Sequence, residues 1–133
     1  MNDIDRRHER RFATDFPSWI TTSEGNRLKA VTTNISASGL ELTGDHKLMT
    51  SLYPNFKRED YRQPLEICVE FNVPVTTNQE APVWLYCQLI YCRRTQADCF
   101  NIGCQFTEID SITEKNLSVY LQNLSEKVVC ASN

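Results

Sequence analysis

Long apolar runs are missing from this 133-residue chain. No stretch approaches the roughly 20 residues that a membrane-spanning helix needs, and the N-terminus lacks the apolar segment of a secretion signal. The expected location is the cytoplasm, without membrane insertion. A surplus of positive charge is missing as well. With 14 Lys+Arg against 17 Asp+Glu the formal net charge is -3, which argues against a broad nucleic-acid surface and against a small barrel that grips single strands through a basic groove. Histidine is confined to His8 and His46, no Ser/His/Asp grouping occurs in a motif context, and there is no Walker loop. The chain is therefore not expected to be an enzyme. A cysteine nucleophile paired with His46 is the remaining catalytic arrangement, and a single hyper-reactive thiol would reveal it.

Paired Cys-x2-Cys knuckles are also lacking, although cysteine itself is plentiful: Cys68, Cys87, Cys92, Cys99, Cys104 and Cys130. Without a secretion signal these do not read as a disulfide framework. The run from Cys87 to Cys104 lacks the spacing of structural zinc sites, and strand parity divides its thiols between two faces, so neither a metal nor another cofactor is expected. The length suits one domain with its own core.

Residues 1–11 have no apolar periodicity and hold four arginines against Asp3, Asp5 and Glu9, which predicts a flexible arm. From Phe12 to Thr22 the chain is aromatic and β-prone, Ser23-Glu24-Gly25-Asn26 is a turn, and a second strand spans about Arg27 to Ile35. Gly39-Leu40-Glu41-Leu42 restarts as a strand with its leucines inward. Residues 43–63 are hard to assign. Leu48, Met49, Leu52, Tyr53 and Phe56 predict a short packed turn of helix inside a long surface loop, for which a lid or partner-docking role is the sharper alternative.

Leu65 to Phe71 alternates cleanly, and Val83–Arg94 with Phe100–Phe106 predicts a hairpin around Thr95-Gln96-Ala97-Asp98. Parity places Leu85, Cys87, Leu89 and Tyr91 on the core face with Ile102, Cys104 and Phe106, and turns Cys92 and Cys99 outward. A final helix over about 111–129 is marked by a capping box, Ser111-Ile112-Thr113-Glu114, and by a stripe of Leu117, Tyr120, Leu121, Leu124 and Val128, with Lys127 favourable to the helix dipole. Several antiparallel strands followed by one helix favour closure into a small barrel, because closure removes exposed edges. The predicted layout is an arm (1–11), one domain (12–129, barrel to about 107) and a tail (130–133).

Two stretches carry chemistry. Asn34-Ile35-Ser36-Ala37-Ser38-Gly39 offers short hydrogen-bonding side chains at a strand-to-strand turn, and Gly39 can adopt a positive φ and admit a ligand to bare backbone. Arg6-Arg7-His8-Glu9-Arg10-Arg11 supplies permanently charged forks that grip phosphates and purine edges. His8 reads as a solvated bystander.

An Arg-x-x-x-Arg arm followed by Asp/Asn-x-Ser-x-x-Gly resembles the PilZ family, bacterial domains that bind cyclic di-GMP. The resemblance covers about Arg6 to Leu124 and includes Ile102-Gly103-Cys104-Gln105-Phe106, which looks like the family's closing Gly-x-x-Phe strand. It implies a mainly β fold, a six-stranded antiparallel barrel with a C-terminal α-helix. It also implies that arm arginines contact phosphates and guanine O6/N7 edges, that Asn34 and Ser36 hydrogen-bond a guanine or phosphate, and that Gly39 closes the turn. The arm admits two pairs, Arg6 with Arg10 or Arg7 with Arg11; the direct run from Arg11 into the first strand favours the second. Arg6 then occupies the place of the extra arginine found where the ligand binds as a stacked dimer. Family members often carry Asp where Asn34 stands, so a weaker neutral acceptor is expected here. The function implied is a cyclic di-GMP receptor that acts in trans on an unidentified effector protein. The alternative is a nucleotide-independent interaction module.

Overall fold

A computed structural model of the chain describes residues 10–53 and 65–131, with side chains as far as residue 126. Of the expected arm, only Arg10 and Arg11 fall among the described residues. Residues 54–64, which hold about half of the 43–63 stretch given the lid or docking alternative, lie outside them, as do the side chains of Lys127, Val128 and Cys130.

Six strands form: β1 (Phe12–Thr22), β2 (Arg27–Ile35), β3 (Gly39–Gly44), β4 (Glu66–Pro74), β5 (Glu80–Gln96) and β6 (Cys99–Glu108). Helix α1 (His46–Leu52) follows β3, and α2 (Ser111–Ala131) follows β6. The strands close into an antiparallel barrel in the order β1-β2-β3-β6-β5-β4. The seam is short: Trp19, Ile20, Thr21 and Thr22 of β1 pair with Glu70, Val69, Cys68 and Ile67 of β4. Mainly β with a C-terminal helix is thus the architecture, as the alternation and the helical stripe predict.

Period-two alternation builds the interior. Leu40 and Leu42 of β3, Ile67, Val69, Phe71 and Val73 of β4, Val83, Leu85, Cys87 and Leu89 of β5, and Ile102 and Cys104 of β6 are buried together. Burying each larger aliphatic side chain is worth about 1.5–3 kcal/mol, so this face of the strands carries most of the stability. Two polar groups inside satisfy each other, with Ser18 and Thr32 hydroxyls 2.7 Å apart. The Cys87 thiol is pushed up in pKa, first by its hydrogen bond with Cys104 and then by burial, so it behaves as a small apolar filler.

The long stretch after β3 is more regular than its sequence indicates. Asp45 caps α1 by accepting from Leu48 N at 2.9 Å, and Leu48, Met49 and Leu52 bury the inner face. Helix α2 covers β4 and β5. Leu117 and Tyr120 are buried, and Phe16 of β1 stacks on Phe71 at 5.3 Å and meets the Tyr120 ring edge-on at 5.5 Å.

Three expectations are corrected. The cap of α2 is Asp110, which accepts from Thr113 N at 2.7 Å, while Ser111 is the first helical residue. Its carboxylate reaches the third amide of the helix, the donor that the Ser111 box was meant to satisfy one residue later. The helix also runs to Ala131, into the expected tail. Finally, Tyr91 faces outward and Cys92 turns toward the core. The pairing steps from Leu89–Cys104 to Tyr91–Gly103, so Ile90 is an extra residue in β5 and the side chains that follow change face, until a second step between Arg94 and Gln96. Cys92 accordingly packs on Met49, with Sγ 3.3 Å from Sδ.

Candidate ligand-binding site

The turn between β2 and β3 is held from within and from the neighbouring strand. Ser36 N donates to Gly39 O at 2.9 Å, the Ser36 hydroxyl donates to the same oxygen at 3.2 Å, and Phe106 N of β6 donates to Ser38 O at 2.9 Å. Gly39 does not have the positive φ expected of it; that conformation belongs to Gly25, at +90°. What Gly39 provides is proximity. A Cβ there would collide with the carbonyl oxygen of Cys104, so β3 and β6 approach as closely as they do only because the side chain is absent.

Beside this turn one row of residues crosses the outer barrel wall. Ala13 of β1 pairs with Asn34 of β2, Asn34 with Glu41 of β3, Glu41 with Gly103 of β6, and Gly103 with Tyr91 of β5. Directly opposed residues share a face, so Asn34, Glu41 and Tyr91 all point away from the core. Gly103 is bare, and the Tyr91 ring occupies the space a Cβ would need. The ring therefore lies across β6 and its hydroxyl donates to Glu41 Oε2 at 2.8 Å. Thr33 approaches Glu41 Oε1 from the other side at 3.4 Å. Partial burial raises the Tyr91 phenol pKa, the Glu41 carboxylate raises it further, and Arg93 and Arg11 pull it back. The phenol stays protonated, and remains a donor, through the neutral range.

A pocket of about 230 Å³ opens on this wall. It gathers Arg11, Asn34, Ser36 and Gly39, to which the sequence assigns ligand contacts, with Ser38, Glu41, Tyr91 and Gln105, to which it assigns none. Arg10 points elsewhere, its guanidinium 5.5 Å from the centre of the Phe12 ring. Arg6 and Arg7 lie outside the described residues. The signal for Glu41 was available: it sits between two inward leucines, and so shares the outer face with Asn34. No such signal marks Tyr91, because Leu89-Ile90-Tyr91 is apolar throughout and hides the extra residue. Chemically, the described lining sets one guanidinium and one carboxylate among neutral amide and hydroxyl groups. Among the described residues no histidine lines the pocket, and no cluster of three His, Cys, Asp or Glu is placed to hold a metal ion.

The family model of the PilZ domain matches residues 5–123. The chain belongs to the PilZ domain family. Its closed barrel with a C-terminal helix is the PilZ fold, and solved structures agree. The Bacillus subtilis inhibitor of motility MotI/DgrA superposes with a TM-score of 0.65 at 14% identity, over 92% of this chain and 52% of that one. The PilZ domain of Escherichia coli YcgR, solved with cyclic di-GMP, gives 0.63 at 12% identity over 96% and 97%. The K. pneumonia MrkH complex with cyclic di-GMP gives 0.53 at 15% identity over 96% and 54%. This PilZ chain thus spans about half the length of the Bacillus and MrkH chains and nearly all of the YcgR domain. At such identities the likeness is one of fold. No curated protein matches the chain. No helix among the described residues of this PilZ domain is long and apolar enough to cross a membrane.

Proposed function

We propose that this PilZ domain is a cytoplasmic cyclic di-GMP receptor, and that it works as an adaptor rather than a catalyst. One observation carries the reading: Arg11, which leads into β1, shares a single pocket with Asn34, Ser36 and Gly39 of the β2–β3 turn. The arginine fork matches phosphate oxygens and the O6/N7 edge of guanine, and the turn contributes short polar groups that fix the base. Cyclic di-GMP in the YcgR and MrkH structures supports the same ligand class here. That Arg11 lines the pocket while Arg10 rests on Phe12 supports Arg7 with Arg11 as the principal pair. Arg6 then occupies the sequence position of the extra arginine that, by the resemblance, accompanies a stacked ligand dimer. On binding, the arm at residues 1–11 closes over the dinucleotide and presents a composite surface to an effector protein in trans.

Calorimetric titration of cyclic di-GMP into the protein, beside the double variant Arg7→Ala/Arg11→Ala, tests the reading. Micromolar or tighter binding that the variant loses is the expected result, with a stoichiometry near two ligands per chain. Absence of binding by calorimetry and by a second method would transfer the domain to the nucleotide-independent interaction modules.

A further inference from the structure

A carboxylate is an odd lining for an anion pocket. Glu41 shares its pocket with Arg11, and a phosphate placed within about 4 Å of it would meet a repulsion of about 1 kcal/mol in water and about 4 near a protein surface. Whatever part of a ligand faces Glu41 must therefore donate hydrogen bonds. A carboxylate accepts at about four lone-pair positions. Tyr91 uses one on Oε2 and Thr33 makes a long contact to Oε1, which leaves capacity on each oxygen for two adjacent N–H groups. The Tyr91 hydrogen bond orients the carboxylate before any ligand arrives, which reduces the ordering cost of binding.

Guanine has the complementary polarity. One edge carries the acceptors O6 and N7, suited to arginine, and another carries the adjacent donors N1–H and N2–H. Adenine reverses the pattern, with an amino donor at N6 and an acceptor at N1 that a carboxylate would repel. Asn34, directly opposite Glu41 in the sheet, offers only a neutral acceptor. We propose that Glu41 is the specificity-determining residue of the pocket, accepting from N1–H and N2–H of one guanine and supplying, from the adjacent strand, the charged acceptor that Asn34 lacks. The proposal rests on the cyclic di-GMP reading above.

The test is a cycle between one protein group and one ligand group. Cyclic di-GMP and its inosine analogue, which lacks the 2-amino group, are titrated into the wild-type protein and into Glu41→Gln, with melts confirming that the variant is folded. The wild type should prefer cyclic di-GMP by about tenfold or more, as expected for a hydrogen bond to a charged group. Glu41→Gln should lose about tenfold for cyclic di-GMP and most of that preference. A variant that binds cyclic di-GMP as tightly as wild type, or keeps the full preference, would overturn the assignment while leaving the receptor intact. A wild-type protein that binds neither ligand would overturn the receptor itself.

Discussion

Gly39 and Gly103 are both bare because something else needs their space, yet the neighbours differ. At Gly39 the neighbour is the Cys104 carbonyl, fixed by the β3–β6 ladder, whereas at Gly103 it is the Tyr91 ring, a side chain able to swing away. Gly39→Ala should therefore cost about 1–3 kcal/mol as the strands are forced apart. Gly103→Ala should cost less in stability but break the Tyr91–Glu41 hydrogen bond. Thermal melts of the two variants rank the costs, and equal losses would contradict the argument. At this scale the sequence was informative for the wrong reason in one case and silent in another. Gly39 stood out as a turn glycine, but its role follows from a strand more than sixty residues away. Tyr91 read as core because its neighbours are apolar, and only the pairing partner reveals the extra residue before it.

Among the elements, α2 shows how a helix start is decided by reach rather than by residue type. Asp110 and Ser111 are both good caps, and the carboxylate on Asp110 is the one that meets Thr113 N. Thr113, fully buried, in turn accepts from Trp84 N of β5 at 3.2 Å, so the helix start is pinned to the barrel by a side chain. Asp110→Ala should destabilise by about 0.5–2 kcal/mol. Thr113→Val keeps the shape but leaves the Trp84 amide without that acceptor, at a cost of about 1–3 kcal/mol. Denaturant unfolding measures both; a Thr113→Val variant as stable as wild type would show that the amide finds another partner. The helical stripe and the alternation of β4 were legible because each repeats over several residues. The cap was off by one because two adjacent residues satisfy the same rule.

For the molecule as a whole, the decisive contacts are non-local. That β1 closes on β4, and β3 on β6, has no local sequence signal, since pairing depends on which strand edges remain after the hairpins form. The barrel was legible from strand number and from the resemblance to a family, not from any one stretch. Because Arg11 lines the pocket and leads directly into β1, whose other end makes the closing seam, the arm joins the barrel at the pocket. Hydrogen exchange of residues 1–12 should slow when cyclic di-GMP binds. Unchanged exchange at saturation would contradict arm closure while leaving recognition by the barrel wall untouched.

The row from Asn34 through Glu41 and Gly103 to Tyr91 also bears on how such a protein can diverge. Glu41 lies between buried Leu40 and Leu42, and Asn34 precedes buried Ile35, so on β2 and β3 recognition and folding are written on opposite faces of the same strands. A lineage can drift in ligand preference by exchanging the outward residues while the inward ones keep the barrel intact. The two glycines are the exceptions. At those positions inheritance of the fold and inheritance of the site are a single trait, and a change to one is a change to both.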